Sequence, residues 1–356
     1  MEAVLVREIG DFELVETPVP RPGRGEALIE VSVTGLCRTD LKLIEVGHRD
    51  LELPRVPGEE VVGVVREVCP GAEDQDRALG AGADPASFAV GERVYVYPGI
   101  SCGGCRPCLR GAGNLCRDMR IMGFHRDGGF AEHVVAPLRS LIRVPHGLAD
   151  EAAVFAEPLS CCLNALELGR VGDGDVLGVW GAGPAGTLLS RAAVLRGAEV
   201  IVTEPDERRR ERVETWAAGP AWAVRATVVP PPDGSLDAAI VAVGSSHAYE
   251  EALAALGPRG RLVVFSGLSP SADAAAAPSL DRLHYNEQTV VGAYGCAFRH
   301  GVEALDLLAS DTLPVTDLIS HRLPLSDLHR GLEIVAQRSG MKVHLYPRGR
   351  TAAVAS

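Results

Sequence analysis

The sequence predicts an α/β chain in two parts: a barrel-like, all-β opening segment, and a doubly wound parallel sheet after it. Three observations carry this. The first 150 residues are short β-branched runs punctuated by Gly and Pro. Near Leu148 the pattern switches to helical spacing. A strand, a glycine-rich loop, a helix and a second strand then follow in order from Val176 to Glu204.

At 356 residues the chain is long enough for two domains with real cores. No run of about 18 apolar residues is present to span a membrane, and Met1-Glu-Ala-Val-Leu-Val reads at once as a strand and not as a signal peptide. A net charge of −12 argues against nucleic acid as a partner. Nine cysteines fit a reducing cytoplasm better than a disulfide framework. The basic residues are almost all Arg, with Lys42 and Lys342 the two lysines.

In the opening part, 27–33, 61–68 and 92–97 read as strands. Residues 72–87, polar and acidic, read as a surface excursion. The loudest signal is Cys102-Gly-Gly-Cys105-Arg-Pro-Cys108 with Cys116 seven residues on. This C-x2-C-x2-C-x7-C spacing suits an all-thiolate structural zinc site, closed by four protein ligands. Two disulfides or four incidental thiols are the competing readings, but neighbours this close pair poorly. Two quieter stretches look chemical: Cys37-Arg-Thr39-Asp40-Leu-Lys42, and Pro57-Gly58-Glu59-Glu60. Taken alone, Cys37 reads as a small buried hydrophobe and the paired glutamates as solvated.

From 152 to 168 the spacing predicts a helix, and Val176–Trp180 a buried strand. Gly181-Ala-Gly183-Pro184-Ala185-Gly186 then matches G-x-G-x-x-G ahead of a helix over 187–196. The first two glycines allow a tight turn and close approach of a pyrophosphate; the third lets helix and strand pack. In this context the loop is a dinucleotide site of Rossmann type, with phosphates at the helix N-terminus. The strand 199–203 ends on Glu204, whose carboxylate would bind ribose hydroxyls and repel a 2′-phosphate, favouring NAD over NADP. Arg208, Arg209 and Arg210 follow and pull the other way, with Arg209 the one assigned to the cofactor. Strands over 237–244 and 261–267 continue the sheet. The proline-rich span between 210 and 237 leaves little room for another strand–helix unit. Helices over 302–310 and 325–337 and a strand over 342–346 close the chain, and the tail after Pro347 reads as loose.

The order of motifs resembles the zinc-containing medium-chain dehydrogenase/reductase family over essentially the whole chain. The matching residues are Gly35-Leu-Cys37-Arg-Thr39-Asp40, Pro57-Gly58-Glu59-Glu60 with Gly63, Gly91-Glu-Arg-Val94, the cysteine cluster, Gly128-Gly-Phe-Ala-Glu-His133, Glu157-Pro-Leu159 and Gly181–Gly186. The resemblance implies a GroES-like β-barrel catalytic domain over 1–155, a Rossmann domain over 156–295, and a return to the catalytic domain over 296–356. It also implies a dimer or tetramer acting on a small-molecule alcohol or ketone. Within the family the chain looks like the polyol, sugar and threonine dehydrogenase branch, with a lean towards aminocyclitol dehydrogenases.

By that resemblance a catalytic zinc would be held by Cys37, Glu59 and Glu157, with Glu60 as a mobile carboxylate. The family pattern Gly-His-Glu is Gly58-Glu59-Glu60 here, so a glutamate stands where relatives place histidine. Lys42 stands where relatives often relay the substrate proton through histidine. Thr39 would accept that proton, with Lys42 or bound water as its exit. Cys161, Cys162 and His48 are substitute ligands. The expected chemistry is reversible oxidation of a secondary alcohol to a ketone. The rivals are a metal-free reductase of C=C or C=N bonds and a nucleotide-binding scaffold or sensor.

Overall fold

The computed structural model describes residues 1–71, 88–219, 222–268 and 279–349. The expected surface excursion at 72–87 and most of the loose tail lie outside them. The chain forms two compact units, Met1–Glu157 with Ala297–Ser356, and Pro158–Cys296.

The first unit begins with a hairpin, β1 (Glu2–Glu8) and β2 (Asp11–Glu16), followed by β3 (Glu26–Leu36), helix α1 (Arg38–Glu45) and β4 (Glu60–Cys69). Next come β5 (Arg93–Val96), β6 (Gly99–Ile100), the single turn α2 (Arg106–Leu109), β7 (Arg120–Ile121), β8 (His133–Pro137), β9 (Leu141–Arg143) and α3 (Asp150–Ala153). The second unit carries α4 (Ala156–Leu168), β10 (Val176–Trp180), α5 (Pro184–Leu195), β11 (Glu199–Thr203), α6 (Glu207–Trp216) and β12 (Val224–Thr227). It continues with β13 (Leu236–Val241), α7 (Ser246–Ala255), β14 (Leu256–Val264), α8 (Leu280–Tyr285) and β15 (Thr289–Gly292). The chain then re-enters the first unit through α9 (Phe298–Ala309), β16 (Ile319–Pro324), α10 (Leu328–Gln337) and β17 (Lys342–Tyr346).

In the first unit β3 is the central strand. Its whole length pairs antiparallel with β4 on one edge. The other edge is shared, by β8 along Glu26–Glu30 and by the returning β17 along Thr34–Leu36. Two register shifts in β3, at Leu28/Ile29 and Val31/Val33, bend the strand so that one edge can serve two partners. Apolar side chains of β3, β4, β5 and β8, including Ile29, Val61, Val94 and Val134, fill the core they enclose. The returning segment brings a second core, in which Leu323, Leu328, Leu332 and Val343 pack with Leu36, Leu41 and Ile44.

The second unit is a parallel sheet in the order β12-β11-β10-β13-β14-β15. The order reverses between β10 and β13, the switch point at which such sheets open a crevice for ligands. The proline-rich span between 210 and 237 holds one short strand, β12, with no helix between it and β13, in keeping with the trimmed unit that the sequence predicts. Asp206 caps α6 by accepting from the Arg209 N–H at 3.2 Å, and the short β12 pairs with β11. Two boundaries move. The helix expected over 152–168 is two, α3 and α4, and α5 starts at Pro184 because proline suits a first helical turn.

The return segment is fastened to α3 by Glu151. Arg322 grips its carboxylate through Nε and an Nη at 2.9 and 2.8 Å, and the Tyr346 hydroxyl donates to it as well. The Arg322 hydrogen bonds hold the Glu151 carboxyl down at about 2. A carboxyl depressed in the fold stabilises above its ordinary value and loses that contribution as pH falls through the folded one. Glu151→Gln is therefore expected to lower Tm near pH 7. The gap from wild type should close as pH drops from 4.5 towards about 2, in thermal melts across that window.

Candidate active site

The dinucleotide loop is built on β10 and α5. Gly181 has φ +102°, a backbone conformation that favours glycine. A Cβ on Gly186 would lie 1.8 Å from the Gly181 carbonyl oxygen, so the turn closes only with glycine there. Gly183, the N-cap of α5, has Pro184 and Ala185 behind it, and the Arg209 guanidinium lies 3.7 Å from where its Cβ would be. Glu204 is buried at the end of β11 and turns inward: its carboxylate accepts from the Ala182 N–H at 2.7 Å and the Asp206 N–H at 3.0 Å. Arg210 donates to the carbonyls of Glu204 and Pro205 at 2.8 Å each. The acid at the strand end thus fixes the glycine loop.

The four-cysteine loop converges. Cys102, Cys105, Cys108 and Cys116 place their sulfurs within 4.8 Å of one another. Cys105 Sγ lies 3.4 Å from Cys108 Sγ and 3.8 Å from Cys116 Sγ. A disulfide needs about 2.05 Å. A zinc tetrahedron with bonds of about 2.3 Å has sulfur–sulfur edges of about 3.8 Å. The Cys102 and Asp118 N–H groups donate to Cys116 Sγ at 3.2 and 3.3 Å, as amides do to metal thiolates. The donor set fits zinc and is closed.

Cys37 and the glutamates lie at the junction of β3, α1 and β4. Cys37 caps α1, and its N–H donates to Asp40 Oδ2 at 2.9 Å. Asp40 is buried, and burial pushes its carboxyl up to about 6 against the Cys37 hydrogen bonds. Burial, then the negative charges of Asp40 and Glu60, raise the Cys37 thiol well above its usual range. Glu60 forms a buried ion pair with Lys342 of β17. Burial alone would pull the Lys342 ammonium down, but Glu60 and Cys37 outweigh it and leave it raised. A Cβ on Gly35 would lie 1.8 Å from Glu60 Oε2 and 3.0 Å from Lys342 Cε, so glycine on β3 makes the pair sterically possible.

Thr39 and Lys42 are three residues apart on the exposed face of α1, while Asp40, Leu41, Leu43 and Ile44 face inward. Glu59 is half-buried, with its stem beside Gly123. Among the described residues Cys37, Glu59 and Glu157 do not gather as a three-donor group. His48 lines a cleft with Ile9, Val46, Gly47 and Leu51, accepting there from the Asp50 N–H at 3.2 Å. Cys162 is buried on α4, its thiol 3.6 Å from the Ala185 carbonyl. Sequence reasoning missed Lys342, Asp40 as a buried acid, and Cys296. For Lys342 a signal existed, because the scarcity of lysine that drew attention to Lys42 applied to it equally.

Comparison with known proteins gives these features a context. Residues 23–146 match the alcohol dehydrogenase GroES-like domain and residues 184–310 the zinc-binding dehydrogenase domain. The D-altritol 5-dehydrogenase of Agrobacterium fabrum is 30% identical over 341 residues, 92% of this chain and 94% of that protein. The chain belongs to the zinc-binding dehydrogenase family. Starvation-sensing protein RspB of Escherichia coli K12 is 33% identical over 234 residues, 65% of this chain and 64% of that protein. A zinc-binding dehydrogenase from Sinorhizobium meliloti 1021, solved bound to NADP, superposes with a TM-score of 0.84 at 27% identity, covering 97% of this chain and 99% of that one. The bent antiparallel sheet is thus the GroES-like domain and the parallel sheet the Rossmann domain, and the protein is an NAD(P)-dependent enzyme of the alcohol dehydrogenase class.

The contact between Gly186 and the Gly181 carbonyl yields a direct expectation. Gly186→Ala has backbone in its way, so the loop must open where the pyrophosphate would approach. Titration of NADH fluorescence should show binding weakened at least about tenfold. Unchanged affinity would refute the assignment of this loop.

Proposed function

We propose that the protein catalyses the reversible, NAD-dependent oxidation of a secondary alcohol on a polyol, sugar or cyclitol to the ketone. The observation that carries this is the glycine loop, with the Glu204 carboxylate drawn against its Ala182 N–H. That carboxylate puts negative charge where a 2′-phosphate would sit, which supports NAD as the preferred cofactor. The polyol class is supported by the D-altritol 5-dehydrogenase relative. When bound, the nicotinamide supplies a hydride acceptor and zinc a Lewis acid for the substrate oxygen.

The chain's own residues handle the proton. Thr39, exposed on α1, accepts it from the alcohol hydroxyl, and Lys42 three residues on carries it to water. Glu60 remains paired with Lys342 and holds the Cys37 end of β3 in place. Nine free cysteines support a reducing, cytoplasmic setting.

A spectrophotometric panel of polyols, sugars, cyclitols and aminocyclitols should reveal at least one substrate that reduces NAD. Its kcat/KM with NAD should exceed that with NADP by roughly tenfold. Absence of turnover across secondary alcohols with either cofactor would overturn the proposal.

A further inference from the structure

Strand β17 carries three buried polar side chains at alternate positions, Lys342, His344 and Tyr346, which sets all three on one face. The outer two are committed. Lys342 pairs with Glu60, and the Tyr346 hydroxyl donates to Glu151. His344 between them is 0% exposed, and among the described residues neither Nδ1 nor Nε2 meets a hydrogen-bond partner. Burial first, then the Lys342 charge, pushes its imidazole down to about 3. The ring is therefore neutral near pH 7, with one N–H to donate and one nitrogen to accept. Phe155 packs on it with ring centroids 5.4 Å apart.

The strand register shows what the ring adjoins. His344 of β17 stands opposite Gly35 of β3, and Gly35 stands opposite Glu60 of β4. The three form one row across neighbouring strands, on one face, with adjacent β positions about 5 Å apart. The middle position has no side chain. Over it lies the ion pair, since a Cβ on Gly35 would meet Glu60 Oε2 at 1.8 Å and Lys342 Cε at 3.0 Å. His344 thus borders the space that the pair occupies. The Lys342 ammonium has three protons to place, and its contacts among the described residues are with the two Glu60 oxygens. Buried polar groups that lack a protein partner are met by ordered water where the space is polar and shared by several such groups.

We propose that a buried water over Gly35 accepts from the Lys342 ammonium and donates to a ring nitrogen of His344. His344 is thereby a positioning residue for the ion pair: through the water it fixes the ammonium on the Glu60 carboxylate from the side opposite β4. The claim concerns the first unit alone and stands whatever substrate the enzyme takes.

Two measurements test it. A crystal structure of the full chain, at a resolution that shows other internal waters, should place a water within about 2.7–3.2 Å of both Lys342 Nζ and a His344 ring nitrogen. No water there, or a ring nitrogen bonded directly to a protein atom, would overturn the proposal. Thermal melts of variants then ask what the ring does. His344→Gln keeps a donor and an acceptor and should melt within about 2 °C of wild type, whereas His344→Phe keeps the bulk but cannot hold the water and should melt at least about 3 °C below the Gln variant. The gap between them should close when Lys342→Met and Glu60→Gln are both present, because no ammonium remains to be met. A Phe variant as stable as the Gln variant, as plain filling of an apolar slot predicts, would contradict the proposal, and so would a gap that survives loss of the ion pair. Should the variants fail to fold, the crystal structure of the wild type decides alone.

Discussion

The first unit depends on one buried ion pair, Lys342 with Glu60. The pair reaches from β17, the last strand, across β3 to β4, and passes over Gly35 because no side chain stands there. Both charges are almost fully enclosed, with 4% and 2% of their side chains exposed. Removing one partner of such a pair strands the other and costs about 3–5 kcal/mol. The pair therefore ties the returning segment to β4, where Glu60 resides, across β3, whose end leads into Cys37. It also sets the local charge: Cys37, Asp40 and Glu59 lie in a field of carboxylates that Lys342 partly offsets.

The second unit is organised by a carboxylate in a different role. Glu204 accepts from the backbone of the glycine loop and from the start of α6, linking β11, the loop and the next helix. Its carboxylate is thus already positioned before any ribose approaches. The Arg209 guanidinium lies near Gly183 of the same loop, so side chains of both signs border it.

What could be read from the sequence was local. The glycine loop declared itself because all its parts fall within about 30 residues, as one βαβ unit requires. The cysteine loop did so through spacing alone, and its sulfurs do converge. What escaped was long-range. Glu60 and Lys342 are 282 positions apart, and nothing in either neighbourhood names the other. Cys161 was noticed only as a substitute ligand, because Cys296 reaches it through the fold of the 293–296 segment against α4. The prolines between 210 and 237 pointed to a trimmed unit, and a strand of four residues, Val224–Thr227, with no helix between it and β13, is what stands there.

The central claim is that a secondary alcohol delivers hydride to a nicotinamide held by the second unit. The most direct measurement uses the polyol substrate deuterated at its carbinol carbon. After incubation with NAD and the enzyme, the reduced cofactor is examined by proton NMR. The account predicts deuterium at C4 of the nicotinamide, on a single face. Reduced cofactor without deuterium, or label on both faces in equal amounts, would contradict it.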